Sequence, residues 1–205
     1  MKKSEKTRQL IIEKSASLFN QNGYAGTSMQ DIMHATGLTK GGIYGNFKKE
    51  GGDKKGVKEE IAIAAFSYAV KVVNAEVRKR TFVIENSLDK LKAVVYFYKE
   101  RVMDPPVEGG CPLLNTSIDC DNSIPKLQKN VVKAMQYWQD RIIKTLEIGK
   151  KAGQVKKDVI SEDFATLFIG TLEGGILMSK IFKDNHQFDI MADQLICMIE
   201  ELRFK

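Results

Sequence analysis

The stretch of residues 27–47, TSMQDIMHATGLTKGGIYGNF, constrains this chain more than any other, because cap and turn signals fall at fixed offsets within it. Ser28 is a good N-cap, and Asp31 three residues on comes close to a capping box, with a shorter acid than usual. Met29, Ile32 and Met33 give a first helix an apolar side at i, i+3 and i+4. Gly37 suits the left-handed residue that ends it, and Leu38 plugs the turn. Thr39 then caps a second helix through Lys40, Gly41, Gly42, Ile43 and Tyr44, with Ile43 and Phe47 pinning it inward. Thr39, Lys40, Gly42, Tyr44 and Asn46 remain as outward candidates. Two short helices about a tight turn make a helix-turn-helix. A short second helix with small residues near its start enters a major groove closely.

Upstream, residues 6–21 read as a helix, with Ile11, Ser15 and Leu18 at i, i+4 and i+7 and Ile12, Ala16 and Phe19 beside them. Gly23 ends it. Together, Arg8, Ile11–Ile12, Ala16, Leu18–Phe19, Gly23–Tyr24, Thr27–Ser28, Ile32, Gly37–Leu38, Lys40–Gly41, Ile43–Tyr44 and Phe47 keep the order and spacing of a known pattern. The chain resembles the N-terminal DNA-binding domain of TetR-type regulators over about its first 47 residues. The resemblance implies a DNA-binding domain at residues 1–50 and a helical ligand-binding and dimerisation domain at residues 51–205. It assigns Thr27, Ser28, Tyr44 and Lys48 to phosphates, Lys40 to a guanine edge, and Gly41–Gly42 to close approach, with Thr39 and Asn46 beside them. One departure follows Phe47. Lys48–Lys49–Glu50 is followed by GGDKKGV before Lys58, an apparent insertion of about eight residues on the family spacing. It reads either as a solvated loop or as extra phosphate contacts.

The formal charge is +6 with a pI near 9.1. Residues 1–60 hold 11 Lys/Arg and 7 Asp/Glu, a net +4, so the excess sits mainly where phosphates are expected. Cys111, Cys120 and Cys197 form neither a disulfide framework nor a zinc pair. The basic N-terminus is interrupted by Glu5 and Glu13 and precedes no long apolar run. It reads as neither signal peptide nor membrane span, and the expected location is cytoplasmic.

The rest of the chain reads as helices, about nine in all, and the fold class as all-α. Residues 58–80 keep helical spacing through Ile61, Ala65, Tyr68 and Val72, and residues 87–103 do so through Leu88, Leu91, Val95 and Tyr98. A short apolar helix is expected at residues 113–118. Its Asn115, Thr116 and Ser117 suit either ligand orientation or cap and turn chemistry. Residues 110–115 also resemble a GC-x-L-x-N signature of one branch of the family. Long helices are expected at residues 125–151, 162–182 and 188–202. The resemblance implies that the last two pair with a second copy as a four-helix bundle, through Phe168, Gly170, Leu172, Gly174, Leu177, Met191, Leu195 and Met198. Tyr98, Met103, Leu114, Met135, Trp138 and Phe168 are the pocket candidates.

Catalytic chemistry finds little support. The two histidines, His34 and His186, sit in the helix-turn-helix and a turn, and GxSxG, HExxH and phosphate-loop motifs are missing. A thiol sensor at Cys111 or Cys120 is a remote alternative. No metal, cofactor or catalytic residue is expected. The expected activity is that of a repressor: a homodimer on double-stranded DNA at a palindromic operator, released by a small, partly apolar effector. The alternative is a DNA-binding protein of this fold regulated by a protein partner or by no ligand.

Overall fold

The computed structural model describes residues 3–47, 56–120 and 124–204. Among these residues the chain forms nine α-helices, and its one extended pairing is an isolated bridge between Val155 and Arg203. The helices are α1 (Lys3–Gly26), α2 (Met29–Thr36), α3 (Lys40–Asn46), α4 (Val57–Thr81), α5 (Ser87–Arg101), α6 (Pro112–Asp119), α7 (Pro125–Lys151), α8 (Ser161–Phe182) and α9 (His186–Glu201). The all-α reading holds.

Two boundaries differ instructively from expectation. Gly23 interrupts α1 at φ 72° without ending it, and a last turn continues to Gly26. Helix α4 begins at Val57, which is 3% exposed and packs in the core, so the apparent insertion ends inside the hydrophobic interior. The basic part of that segment, residues 51–55, lies outside the described residues.

The chain divides into two compact units, Met1–Val73 with Val107–Lys133, and Asn74–Pro106 with Ala134–Lys205. In the first, Ile11 and Ile12 of α1, Ile32 of α2, Ile43 of α3, Phe47, and Val57 and Ile61 of α4 form one cluster. Burying such a side chain fully contributes roughly 1.5–3 kcal/mol, so the three short helices are held by tertiary packing more than by propensity. A second cluster joins Ala16, Ala65, Ala69 and Val107. Alanines at these positions let helices approach closely. Helix α6 belongs to this unit, so the helix-turn-helix shares its compact body with a segment far along the chain.

In the second unit α8 packs on α9. A Cβ at Gly175 would lie 2.9 Å from the Phe188 ring, so glycine there lets α8 and α9 approach closely. Phe188 N also donates to Ser179 Oγ at 3.2 Å. Helices α5 and α9 are laced by Lys92 with Glu200 and by Lys99 with Asp193 at 2.9 Å.

Candidate nucleic-acid interface

The helix-turn-helix is built from local chemistry. Ser28 Oγ accepts from Asp31 N at 3.2 Å, and Ser28 N donates to Asp31 Oδ2 at 2.7 Å, so the capping box is complete. These bonds from the Ser28 hydroxyl and N–H hold the Asp31 carboxyl below the usual carboxylate range. Gly37 ends α2 at φ 67°. Thr39 Oγ1 accepts from Gly42 N at 3.2 Å and starts α3. Ile43 and Phe47, 0% and 3% exposed, fix which side of α3 faces inward.

The outward side carries Lys40, whose Nζ lies 5.6 Å from the Tyr44 ring centroid. Thr39, Lys40 and Gly41 are exposed, and Gly42, Tyr44 and Asn46 are half-buried. Asn46 Nδ2 donates to Gly42 O at 2.7 Å, so its amide is turned back onto the helix. The Arg8 guanidinium stacks 4.3 Å from the Phe47 ring and adds a cation beside the end of α3. Lys48 lies outside the described residues.

Thr27 requires a correction. Its side chain is fully buried, and its hydroxyl donates to Gly23 O at 2.8 Å and Leu18 O at 3.3 Å. It ties the end of α1 to the start of α2 and offers no hydroxyl to a phosphate. Ser28, the neighbouring candidate, is exposed.

A polar latch that the sequence reading missed fixes α1 within this unit. Asn20 Nδ2 donates to Glu108 O at 2.8 Å and Gly110 O at 3.0 Å. Asn115 Nδ2, from α6, lies 2.9 Å from Asn20 Oδ1, 3.0 Å from Asn20 O and 2.8 Å from Gly109 O. Gly109 sits at φ 105°, where a Cβ would come within 2.7 Å of Asn20 O. Of the two roles open to Asn115, this is turn and docking chemistry. At the other end of α6, Asp119 accepts from Tyr24 N in a very short bond just beyond the Gly23 break. A Cβ on Gly23 would lie 2.8 Å from Asp119 Oδ1. Lys58 Nζ stacks 4.2 Å from the Tyr24 ring. Burial lowers the Lys58 pKa, and Asp119 and Asp31 oppose that shift. One signal for Asn20 was present: it falls on the Ile12–Ala16 stripe at i+4, a polar residue on a buried face.

The pocket candidates do not form one group. Tyr98 and Trp138 are ring neighbours at 6.2 Å, and Phe168 packs at 6.3 Å on Phe164 with no exposed surface. Met135 is half-buried and Met103 is 48% exposed. Leu114 belongs to the other compact unit. A cavity of about 20 Å3 lies in the helix-turn-helix unit, among Ala16, Phe19, Ala65, Phe66, Thr116 and Asp119, and none of the six candidates lines it. It is water-sized, since one molecule needs about 10–15 Å3 on this measure.

The bundle candidates split. Phe168, Leu172 and Leu195 are buried inside their own subunit, and cannot present surface to a second copy. Phe168 and Leu172, four apart on α8, and Leu195 on α9 lie on the stripes that face the intramolecular core. Gly170 and Leu177 are exposed, and Gly174, Met191 and Met198 are half-buried. Leu167, Ile181 and Ile190, which were missed, are 54%, 64% and 55% exposed.

The matches to known proteins agree with this architecture. Residues 11–50 match the family model described as "Bacterial regulatory proteins, tetR family", and residues 87–195 match "Tetracyclin repressor-like, C-terminal domain". A TetR transcriptional regulator from Chloroflexus aurantiacus is 32% identical, with a TM-score of 0.92 and all of both chains covered. The HTH-type transcriptional repressor DhaR from a Mycobacterium species is 21% identical, covering 89% of this chain and 86% of that one. AibR, solved in complex with isovaleryl coenzyme A and operator DNA, shares the fold at a TM-score of 0.67 and 21% identity, over 94% of this chain and 97% of its own. With the capped helix-turn-helix on the page, and family models covering both its segment and most of the body, the chain belongs to the TetR family of DNA-binding, helix-turn-helix transcriptional regulators.

Proposed function

We propose that the chain is a repressor that binds a palindromic operator as a homodimer and is released by a small, partly apolar effector in its C-terminal body. In this reading residues 1–50 meet DNA and residues 51–205 carry the effector and dimer functions, in the cytoplasm. The observation that carries the DNA half is the outward side of α3. Thr39, Lys40, Gly41, Gly42 and Tyr44 lie on or beside the exposed edge of a helix pinned by Ile43, and Ser28 is exposed at the N-cap of α2. Lys48 keeps its phosphate role on the family pattern, and Asn46 acts mainly by closing α3 on itself. Thr27 contributes position only.

The dimer half rests on α8. This helix is apolar along most of its length, yet only about half of that apolar stretch is buried within the chain. Leu167, Gly170, Leu177 and Ile181 recur along its uncovered side at helical spacing. A symmetric four-helix contact with a second α8–α9 pair would cover them. Two copies of α3 would then meet half-sites one helical turn or a multiple apart.

The effector acts by differential affinity: the state that holds it best has its two recognition helices wrongly spaced for adjacent major grooves. AibR, of the same fold, was solved with an acyl coenzyme A and operator DNA, which supports joint control by DNA and a small organic molecule.

The test selects bound duplexes from a random pool at two salt concentrations. An enriched palindrome supports the reading. Salt-sensitive binding without a preferred site would instead favour an unregulated or architectural protein. Changing Lys48 to Ala should lower the salt slope by about one unit if it holds a phosphate. Replacing both Leu177 and Ile181 by Glu should yield monomers in sedimentation velocity. A variant that sediments like the wild-type dimer would remove α8 from the interface.

A further inference from the structure

The cavity of about 20 Å3 in the first compact unit has two unlike ends. One is formed by Ala62, Ala65 and Ala69 of α4 with Phe66 beside them, and all four are buried. The other is formed by Tyr24, in the last turn of α1, and by Thr116 and Asp119 of α6, all half-buried. The cavity is therefore apolar where it is closed. Where it nears solvent it presents an aromatic ring, a hydroxyl and a carboxylate.

Asp119 sets the sign of a fitting ligand. Its carboxylate accepts from Tyr24 N, and its two oxygens have lone pairs for further donors. The other charged groups that act on this corner are Lys58, whose Nζ lies 4.2 Å from the Tyr24 ring, and the carboxylates of Asp31 and Glu59. Among the described residues one ammonium there faces three carboxylates, so a further positive charge is favoured. Phe19 also lines the cavity and stacks on Tyr24 at 6.0 Å, and aromatic faces attract cations. The volume sets the size. At roughly 10–15 Å3 for one water-sized group, it admits one such group and part of a second.

We propose that this cavity binds small primary ammonium ions, ammonium itself and methylammonium, through N–H donors to the Asp119 carboxylate and the Thr116 hydroxyl. The methyl group of methylammonium lies toward Ala65 and Phe66. The site stands apart from the body in which the effector is placed above, and it does not depend on the DNA-binding reading. Its occupant bonds the same carboxylate that ties the end of α6 to Tyr24 N, just beyond the Gly23 break in α1. Binding therefore stabilises the unit that contains the helix-turn-helix.

The experiment follows thermal unfolding of the full-length protein in sodium, ammonium, methylammonium and tetramethylammonium chlorides at equal ionic strength. A ligand of two heavy atoms reaches a Kd of about 10 mM at best. At about 100 mM, methylammonium should then raise Tm by roughly 3 °C over sodium. Ammonium should raise it less, and tetramethylammonium, too large for the cavity, should match sodium. Asp119→Asn keeps an oxygen for Tyr24 N but removes the charge, and should abolish the differences between salts. Thr116→Val removes the hydroxyl at nearly constant volume and should weaken methylammonium about fivefold; it carries the test if Asp119→Asn does not fold. Equal Tm in sodium and methylammonium, as a cavity holding water alone would give, overturns the proposal. So does a tetramethylammonium shift as large as that of methylammonium, or a methylammonium shift undiminished in either variant. Each of these results leaves the operator reading standing.

Discussion

Replacing Asn115 by Ala tests whether α6 holds the DNA-binding unit together. In the wild type its amide nitrogen lies 2.8 Å from Gly109 O, 2.9 Å from Asn20 Oδ1 and 3.0 Å from Asn20 O. Two amide hydrogens serve these three acceptors. Each intramolecular bond is worth about 1 kcal/mol net, and a buried acceptor left without a donor adds about 1–3 kcal/mol. Asn20 is 5% exposed, so water does not readily replace the lost donor at its Oδ1. The expected cost is about 3 kcal/mol, a fall in Tm on the order of 8 °C for a chain of this size. Urea unfolding followed by circular dichroism measures it. Asn115→Asp should cost at least as much, because it sets a carboxylate oxygen against carbonyls. The cycle of Asn20→Ala, Asn115→Ala and the double variant should show a coupling of at least about 1 kcal/mol, since the two share one network. A cost under about 0.5 kcal/mol for Asn115→Ala, or strict additivity in the cycle, would refute the latch.

Three further outcomes follow from the same geometry. Gly23→Ala places a Cβ at 2.8 Å from Asp119 Oδ1 on a residue at φ 72°, so it should destabilise by about 2 kcal/mol, and adding Asp119→Ala should relieve the clash but not the backbone strain; a Gly23→Ala variant as stable as wild type in urea would count against both terms. The Glu200 carboxyl is held down from 4.5 to about 2, first by Arg203 and then by Lys92. Its folded pKa is depressed, so its contribution is present above pH 4.5 and is lost as pH falls toward 2; Glu200 is 41% exposed, which reduces the effect to about 1 kcal/mol, and Glu200→Gln should flatten the acid limb of stability against pH. Ser28→Ala removes the side-chain half of the capping box and should cost about 1 kcal/mol of unfolding free energy, read by the same urea titration, where an unchanged midpoint would show the cap to be dispensable.

The helix-turn-helix was legible because its determinants are local. Ser28, Asp31, Gly37 and Thr39 act on backbone groups within a few residues, so spacing alone reveals them. The long helices were legible for a similar reason, with Leu88, Leu91 and Val95 on one stripe and Leu127 and Val131 on another. Partners far apart in sequence were not legible. Asn20 and Asn115 are 95 positions apart, and nothing in either neighbourhood names the other. The stripe on α8 misled for a related reason. Phe168 and Leu172 have the periodicity of an interface, but periodicity says only that a face is covered. It does not distinguish α9 of the same chain from α8 of another. Thr27 failed differently, since a hydroxyl beside a helix start can point out to a phosphate or back to Gly23 O, and only the path of α1 decides.

These observations converge on where the stability of the proposed DNA-binding surface comes from. Glycine within a helix costs roughly 1 kcal/mol relative to alanine, and α3 has three in seven residues, so it has little tendency to form alone. It is held by Ile43 and Phe47 packed against Ile11, Ile12 and Ile61. Helix α1 is in turn fixed at Asn20 by the loop before α6, and at Tyr24 by Asp119 at the end of α6. The surface proposed to meet DNA is therefore weak in its own sequence and strong only through its supports. Weakening the Asn20–Asn115 network should loosen α3 without touching any residue proposed to face DNA. Hydrogen exchange can separate the two effects. Asn115→Ala should speed exchange at the α3 amides, whereas Gly45→Ala should slow it. Unchanged α3 exchange in Asn115→Ala, with slowed exchange in Gly45→Ala, would mean that the short helix is stabilised locally after all.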